Sequence, residues 1–162
     1  MTGTPRLIIV DDNSEVLNDF RKVLCPASAA SDLSSMEAEL FGAPSSTVTA
    51  RTSYDVTFAT SGRQALEAVM HALRLRRPYA GAIVDMRMPG WNGVETIQHL
   101  REKQRDLPVA ICSAFMDYSW QEVIAELNDP GIRLLHKPWS TLEALETVSE
   151  LLSRARRTAR ES

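Results

Sequence analysis

Five side chains suited to handling a phosphoryl group and a hard cation occupy comparable places along the chain. They are Asp11 and Asp12, Asp85, Ser113 and Lys137, each just after a short aliphatic run, with Pro138 following the lysine. Singly they say little. An aspartate at a strand-to-helix junction is more often a cap than a ligand, and a serine or Lys-Pro there usually belongs to a turn. Jointly they describe one chemistry. Three neighbouring carboxylates repel, which raises their pKa values unless a counter-ion is present. A hard divalent cation relieves that repulsion, and Mg²⁺ suits a few carboxylates together with water and phosphate. Lys137 is a compact point charge for a phosphoryl oxygen, and the Ser113 hydroxyl can donate a hydrogen bond to another. An aspartate is itself a nucleophile toward phosphoryl groups, forming an acyl phosphate. The expectation is a metal-assisted aspartyl-phosphate site.

Such a site requires elements that bring residues 11, 85, 113 and 137 to one edge. Apolar periodicity predicts strands at Arg6–Val10, Tyr54–Phe58, Ala80–Val84, Val109–Cys112 and Ile132–Leu135. Between and after them it predicts helices over Ser14–Leu24, Gly62–Leu75, Asn92–Lys103, Ser119–Leu127 and Thr141 to about Arg156. The inward faces are Val16, Leu17, Phe20, Val23 and Leu24; Leu66, Val69, Met70 and Leu73; Val94, Ile97 and Leu100; Trp120, Val123, Ile124 and Leu127; and Leu142, Leu145, Val148 and Leu152. Strict alternation implies a parallel α/β sheet with right-handed crossovers and helices on both faces. In such a sheet, ligands gather beyond the carboxyl ends of the strands, where strand order reverses.

Composition narrows the class. The chain has 162 residues, enough for one domain, with 44% hydrophobic and 24% charged residues. No apolar run approaches the roughly 18 residues of a membrane span, and no signal peptide is apparent, so a cytoplasmic domain is expected. Cys25 and Cys112 make neither a disulfide framework nor a zinc cluster, and His71, His99 and His136 show no metal-binding spacing. A net charge of −3 argues against a broad nucleic-acid footprint. The end of the chain departs from this balance, because Arg154, Arg156, Arg157 and Arg160 stand against Glu161 alone. Residues 154–162 read as a basic helix end or linker after a domain spanning 1–153.

Residues 26–53 do not fit the alternation, since a short connection would do there. They read as an insertion within the domain, with Leu33, Met36, Leu40 and Phe41 on one face of a short extra helix. This segment is expected to pack against the rest as a short helix plus loops, a surface elaboration, with a partner-docking surface as the alternative.

The segments LIIVDDN (7–13), AIVDMRMPGWNG (82–93), ICSA (111–114) and KPW (137–139) resemble the receiver domain of two-component response regulators. The resemblance implies a flavodoxin-like fold, five parallel strands of order 2-1-3-4-5 flanked by five helices. By position, it implies Asp85 as phosphoacceptor, Asp12 as a direct metal ligand, and Asp11 as a ligand acting through metal-bound water. Arg87 would offer its backbone carbonyl to the metal, Mg²⁺ or Mn²⁺. Ser113 takes the place of the switch hydroxyl and Lys137 that of the phosphate-binding lysine, with Pro138 in a position that is commonly cis.

There are departures from the family pattern. The switch residue is Ser rather than the commoner Thr. Leu134 replaces the aromatic residue that turns inward on activation, so switching is expected to centre on Ala114–Tyr118 and the helix around Trp120. MPGWNG and FMDYSW resemble receivers at the amino end of larger signalling proteins, such as hybrid histidine kinases and cyclic-di-GMP enzymes.

The implied function is a phosphorylation-dependent switch rather than an enzyme. It would take its phosphoryl group from a sensor histidine kinase or phosphotransfer protein. It would then regulate a downstream protein or an attached output domain, without direct contact to nucleic acid or membrane. Three alternatives are weaker. A dehalogenase-type phosphatase needs an acid two positions after its nucleophile, where Arg87 stands. A flavin module needs a phosphate loop in place of Asp11 and Asp12. A pseudo-receiver acting as a constitutive interaction domain fits Leu134, but not the complete set of phosphorylation residues.

Overall fold

The computed structural model describes residues 4–25, 54–114 and 120–161. Strand β1 (Arg6–Val10) shows how the layers form. Its side chains alternate, and because both faces of the strand are covered, Leu7 to Val10 are all buried. Leu7 and Ile9 enter a core with Phe20 and Leu24 of α1 (Ser14–Leu24) and Val148 and Leu151 of α5 (Thr141–Glu161). Ile8 and Val10 enter the opposite core. There they meet Val69 of α2 (Gly62–Arg74), Ile97 and Leu100 of α3 (Gly93–Lys103), and Val123 of α4 (Trp120–Leu127).

The remaining strands are β2 (Asp55–Ala59), β3 (Gly81–Asp85), β4 (Val109–Ser113) and β5 (Arg133–His136). All pairings are parallel and the order is β2-β1-β3-β4-β5, the topology that the alternation and the motifs imply. After β1 the chain steps to one side to make β2, then returns past β1 to make β3. The carboxyl ends of β1 and β3 therefore flank the crevice.

Several boundaries differ from the sequence reading by one residue, and the ladder explains the shifts. Asp85 and Ser113 are the last residues of β3 and β4, not the first after them. Asp85 pairs with Cys112, and the Met86 N–H donates to the Cys112 carbonyl at 2.9 Å. Strand β2 runs to Ala59, whose carbonyl accepts from the Asp11 N–H. Strand β5 runs to His136, opposite Ser113.

Two helix faces are corrected. The buried positions of α2 are Gly62, Ala65, Val69 and Ala72, with Leu66 and Leu73 only partly covered, because small residues let α2 approach α3 closely. Leu142, expected inward, is 65% exposed at the start of α5. Ala144, Thr147, Val148, Leu151 and Leu152 face the sheet instead. Helix α5 also continues past Arg156 to Glu161. The expectations for the insertion 26–53, Ser119, residues 115–118 and the side chain of Trp120 lie outside the described residues.

Candidate metal and phosphoryl site

The sequence elements on either side of the crevice are tightly held. Asn13 caps α1 by accepting from the Glu15 N–H at 2.9 Å, and the Asn13 N–H donates to Asp11 Oδ1 at the same distance. The turn after Asp11–Asp12 is thus shaped by side-chain-to-backbone bonds. On the β3 side, Asn92 and Glu95 close a reciprocal capping box that starts α3. Gly93 is required here, since a Cβ on it would fall 2.7 Å from the Asp85 carbonyl oxygen. Gly90, at φ +80°, supplies the left-handed step within the same turn.

This framework brings Asp11, Asp12 and Asp85 together, one carboxylate oxygen from each lying within 4.8 Å of the others. Asp11 and Asp85 are buried, whereas Asp12 is exposed. Lys137 lies between the two buried acids. Its Nζ donates to Asp11 Oδ2 at 2.9 Å and to Asp85 Oδ1 at 3.0 Å. Asp85 Oδ1 is the carboxylate oxygen that the lysine holds.

The charge balance is unfavourable for Asp85. Burial pushes its carboxyl up to about 6, the Lys137 hydrogen bond opposes this, and the neighbouring acids add to the rise. For Lys137, burial alone would lower the pKa. Its bonds to Asp11 and Asp85 and their charges outweigh that, so the lysine is held more firmly protonated than usual. One ammonium therefore serves two buried carboxylates, with a third at the rim. The donor set is all oxygen, carries excess negative charge and opens to solvent at Asp12. Such a set fits Mg²⁺ or Mn²⁺ and is unsuited to a soft thiolate-preferring metal.

The other anticipated positions surround this centre. Arg87 is exposed in the turn two residues past Asp85. Ser113 ends β4, and its carbonyl accepts from the Lys137 N–H at 2.9 Å, tying the lysine's backbone to the strand next to β3. The Lys137–Pro138 peptide bond is cis. Leu134 lies opposite Ile111 and is partly buried against the core that contains it.

Two contributors were not anticipated from sequence. Trp139 packs its ring against Phe20 of α1, with centroids 4.3 Å apart, and so anchors the segment carrying Lys137. Burial pushes the Cys112 thiol, beside Asp85 in the ladder, up to about 12. The motif KPW contained the first signal; burial of a strand cysteine has no local one.

Comparison with known proteins agrees with this fold. Residues 43–149 match the family described as response regulator receiver domain. That match begins after β1, so Asp11 and Asp12 rest on the geometry just described. The hydrogenase transcriptional regulatory protein HoxA of Cupriavidus necator is 34% identical over 49% of this chain and 16% of its own length. The transcriptional regulatory protein PrrA of Mycobacterium bovis is 28% identical over 98% of this chain and 54% of its own. The chain thus spans about half or less of these curated relatives. A response regulator receiver protein from Sinorhizobium medicae superposes with a TM-score of 0.65 at 20% identity, covering 94% of this chain and 97% of that one.

Proposed function

Because the chain belongs to the response regulator receiver domain family, we propose that it is phosphorylated on Asp85 and signals through that modification. The observation that carries the reading is the convergence of Asp11, Asp12 and Asp85 on one crevice with Lys137 bonded to both buried acids. In this reading Asp85 Oδ2 attacks the phosphorus of a phosphohistidine on a sensor kinase or phosphotransfer protein. The new O–P bond forms as the P–N bond breaks, and the imidazole nitrogen leaves with the electron pair. Lys137 exchanges part of its bond with Asp85 for a phosphoryl oxygen, and Ser113 donates to another.

Asp11, Asp12 and Asp85, with the Arg87 carbonyl, would hold Mg²⁺ or Mn²⁺. The cation would supply charge neutralisation for the phosphoryl oxygens. Downstream, a partner protein or an attached output domain would read the change. Residues 1–153 would act as the regulatory domain and 154–162 as its connection. A constitutive, non-phosphorylated role is not favoured, because the acids and the lysine stand together in one crevice.

Incubation with Mg²⁺ and acetyl phosphate tests the assignment. Mass spectrometry should find one phosphate, on Asp85, and none in Asp85→Asn or after chelation. Asp12→Ala, at an exposed position, should fold normally and lose both metal binding and the adduct. A persistent adduct in either variant would overturn the assignment.

A further inference from the structure

The amino-terminal edge of the sheet, opposite the aspartate crevice, concentrates positive charge that the net charge of −3 conceals. Carboxylates there are outnumbered. Asp55 is shared by Arg6 and Arg77, and Asp129 by Arg101 and Arg154. Beyond these ion pairs, Arg74, Arg76, Lys103, Arg105, Arg156 and Arg157 are exposed along the same edge, against the exposed acids Glu102 and Asp106 beside Lys103 and Arg105, so the uncompensated cations are those that end α2 and α5.

Favourable interaction with helix dipoles accounts for cations in last turns. It does not account for the segment that leaves α2. Arg76 has φ +57°, at the position after the helix cap that favours glycine. Beside it Leu75 is 54% exposed, one of two large apolar side chains so exposed among the described residues, and the exposed Arg74 and Arg76 flank it in sequence, followed by Arg77, which is paired with Asp55. A cation kept where glycine would be relaxed, next to an uncovered leucine, is the pattern of a surface that meets anionic headgroups and a shallow apolar layer. Nucleic acid fits less well, because single-strand recognition favours aromatic side chains for stacking and base reading favours hydrogen-bonding groups.

We propose that this edge docks peripherally on an anionic phospholipid bilayer, with Leu75 entering the headgroup layer and the surrounding arginines meeting lipid phosphates. The aspartate crevice then faces away from the membrane.

Vesicle co-sedimentation of the whole chain tests this, comparing phosphatidylcholine alone with vesicles containing about one third phosphatidylglycerol. Binding is expected only to the anionic vesicles at ~50 mM salt, and it should vanish near ~500 mM. Arg74→Glu/Arg76→Glu should weaken it at least about tenfold. Leu75→Ser should weaken it several-fold without altering the salt dependence. Arg63→Glu, at the opposite end of α2, should bind like the wild type, and denaturation midpoints of all variants should confirm that they are folded. Four results would overturn the proposal: binding to neither vesicle, equal binding to both, equal loss with Arg63→Glu, or tighter binding to duplex DNA through Arg74 and Arg76.

Discussion

Asp85 is the residue at which the fold opposes itself, being buried among acids with one shared lysine. Its proton is bound more tightly in the folded chain, up to about 6, than in the unfolded one. Without metal, therefore, its contribution to stability declines as pH rises from about 3.9 through 6, then levels off. Asp85→Asn should stabilise the metal-free domain by on the order of 1–3 kcal/mol at pH 7.5, and by about half as much at pH 5. Urea denaturation at the two pH values measures this, and a gain that grew on acidification would refute it. Added Mg²⁺ should narrow the difference by stabilising only the wild type. Cys112 sits one ladder position away, and its thiol should resist iodoacetamide at pH 8 until denaturant is added, so that any native adduct maps to Cys25. That Asp11, Asp12, Asp85 and Lys137 would meet was legible because charged side chains directly after buried strands of one parallel sheet share an edge. Trp139 was present in a recognised motif, yet its packing on Phe20 depends on a helix over a hundred residues away.

Among the elements, what was readable depends on whether a signal is local. The start of α3 is written in Asn92 and Glu95, three positions apart, and Asn92→Ala should cost about 1 kcal/mol in thermal or urea unfolding. The end of α2 is also local: the Arg77 N–H bonds to the Ala72 carbonyl and that of Arg76 to Leu73, with Arg76 left-handed. Arg76→Gly should therefore stabilise by roughly 1 kcal/mol, and an equal or lower midpoint would show that the side chain contributes to the fold. Strand ends were read one residue off because a neighbour's carbonyl, not the strand's own composition, decides where pairing stops. The inward face of α5 was misjudged at Leu142 because leucine is apolar wherever it lies. Helix rotation, which set Ala144 and Thr147 against the sheet, depends on the helix's tertiary packing.

Across the whole molecule, the two edges of the sheet differ in charge. The crevice concentrates acid and the opposite edge concentrates arginine, an asymmetry that composition averages away. The second edge is tied together by Asp129. It accepts from Arg101 at 2.7 Å, from Arg154 at 3.1 Å and from the Gly131 N–H at 3.0 Å, joining α3, the approach to β5, and α5. Burial would raise the Asp129 pKa, but the two guanidinium hydrogen bonds prevail and hold it below the usual range. Its stabilising contribution is thus complete above about pH 5 and is lost as pH falls through its depressed folded value. Asp129→Ala should cost roughly 2–4 kcal/mol by leaving two partly buried guanidiniums without a carboxylate, with only the Leu107 and Gly131 carbonyls still accepting from them. Phosphorylation of the folded fraction at Asp85 should be unchanged, since about 17 Å of strand separates the two edges. No single segment encodes this network; it exists only once α3, β5 and α5 have assembled.

Lys137 reaches back 126 positions to Asp11, and 52 to Asp85. A nascent chain that has emerged only as far as β4 holds its acids without their cation, and repulsion between them opposes closure of the crevice. Competence for phosphoryl transfer is therefore withheld until nearly the whole domain has been synthesised and its last strand added. A chain ending before residue 137 would lack both the ammonium and the strand that complete the crevice, so the full constellation exists only when nearly all of the domain has been made.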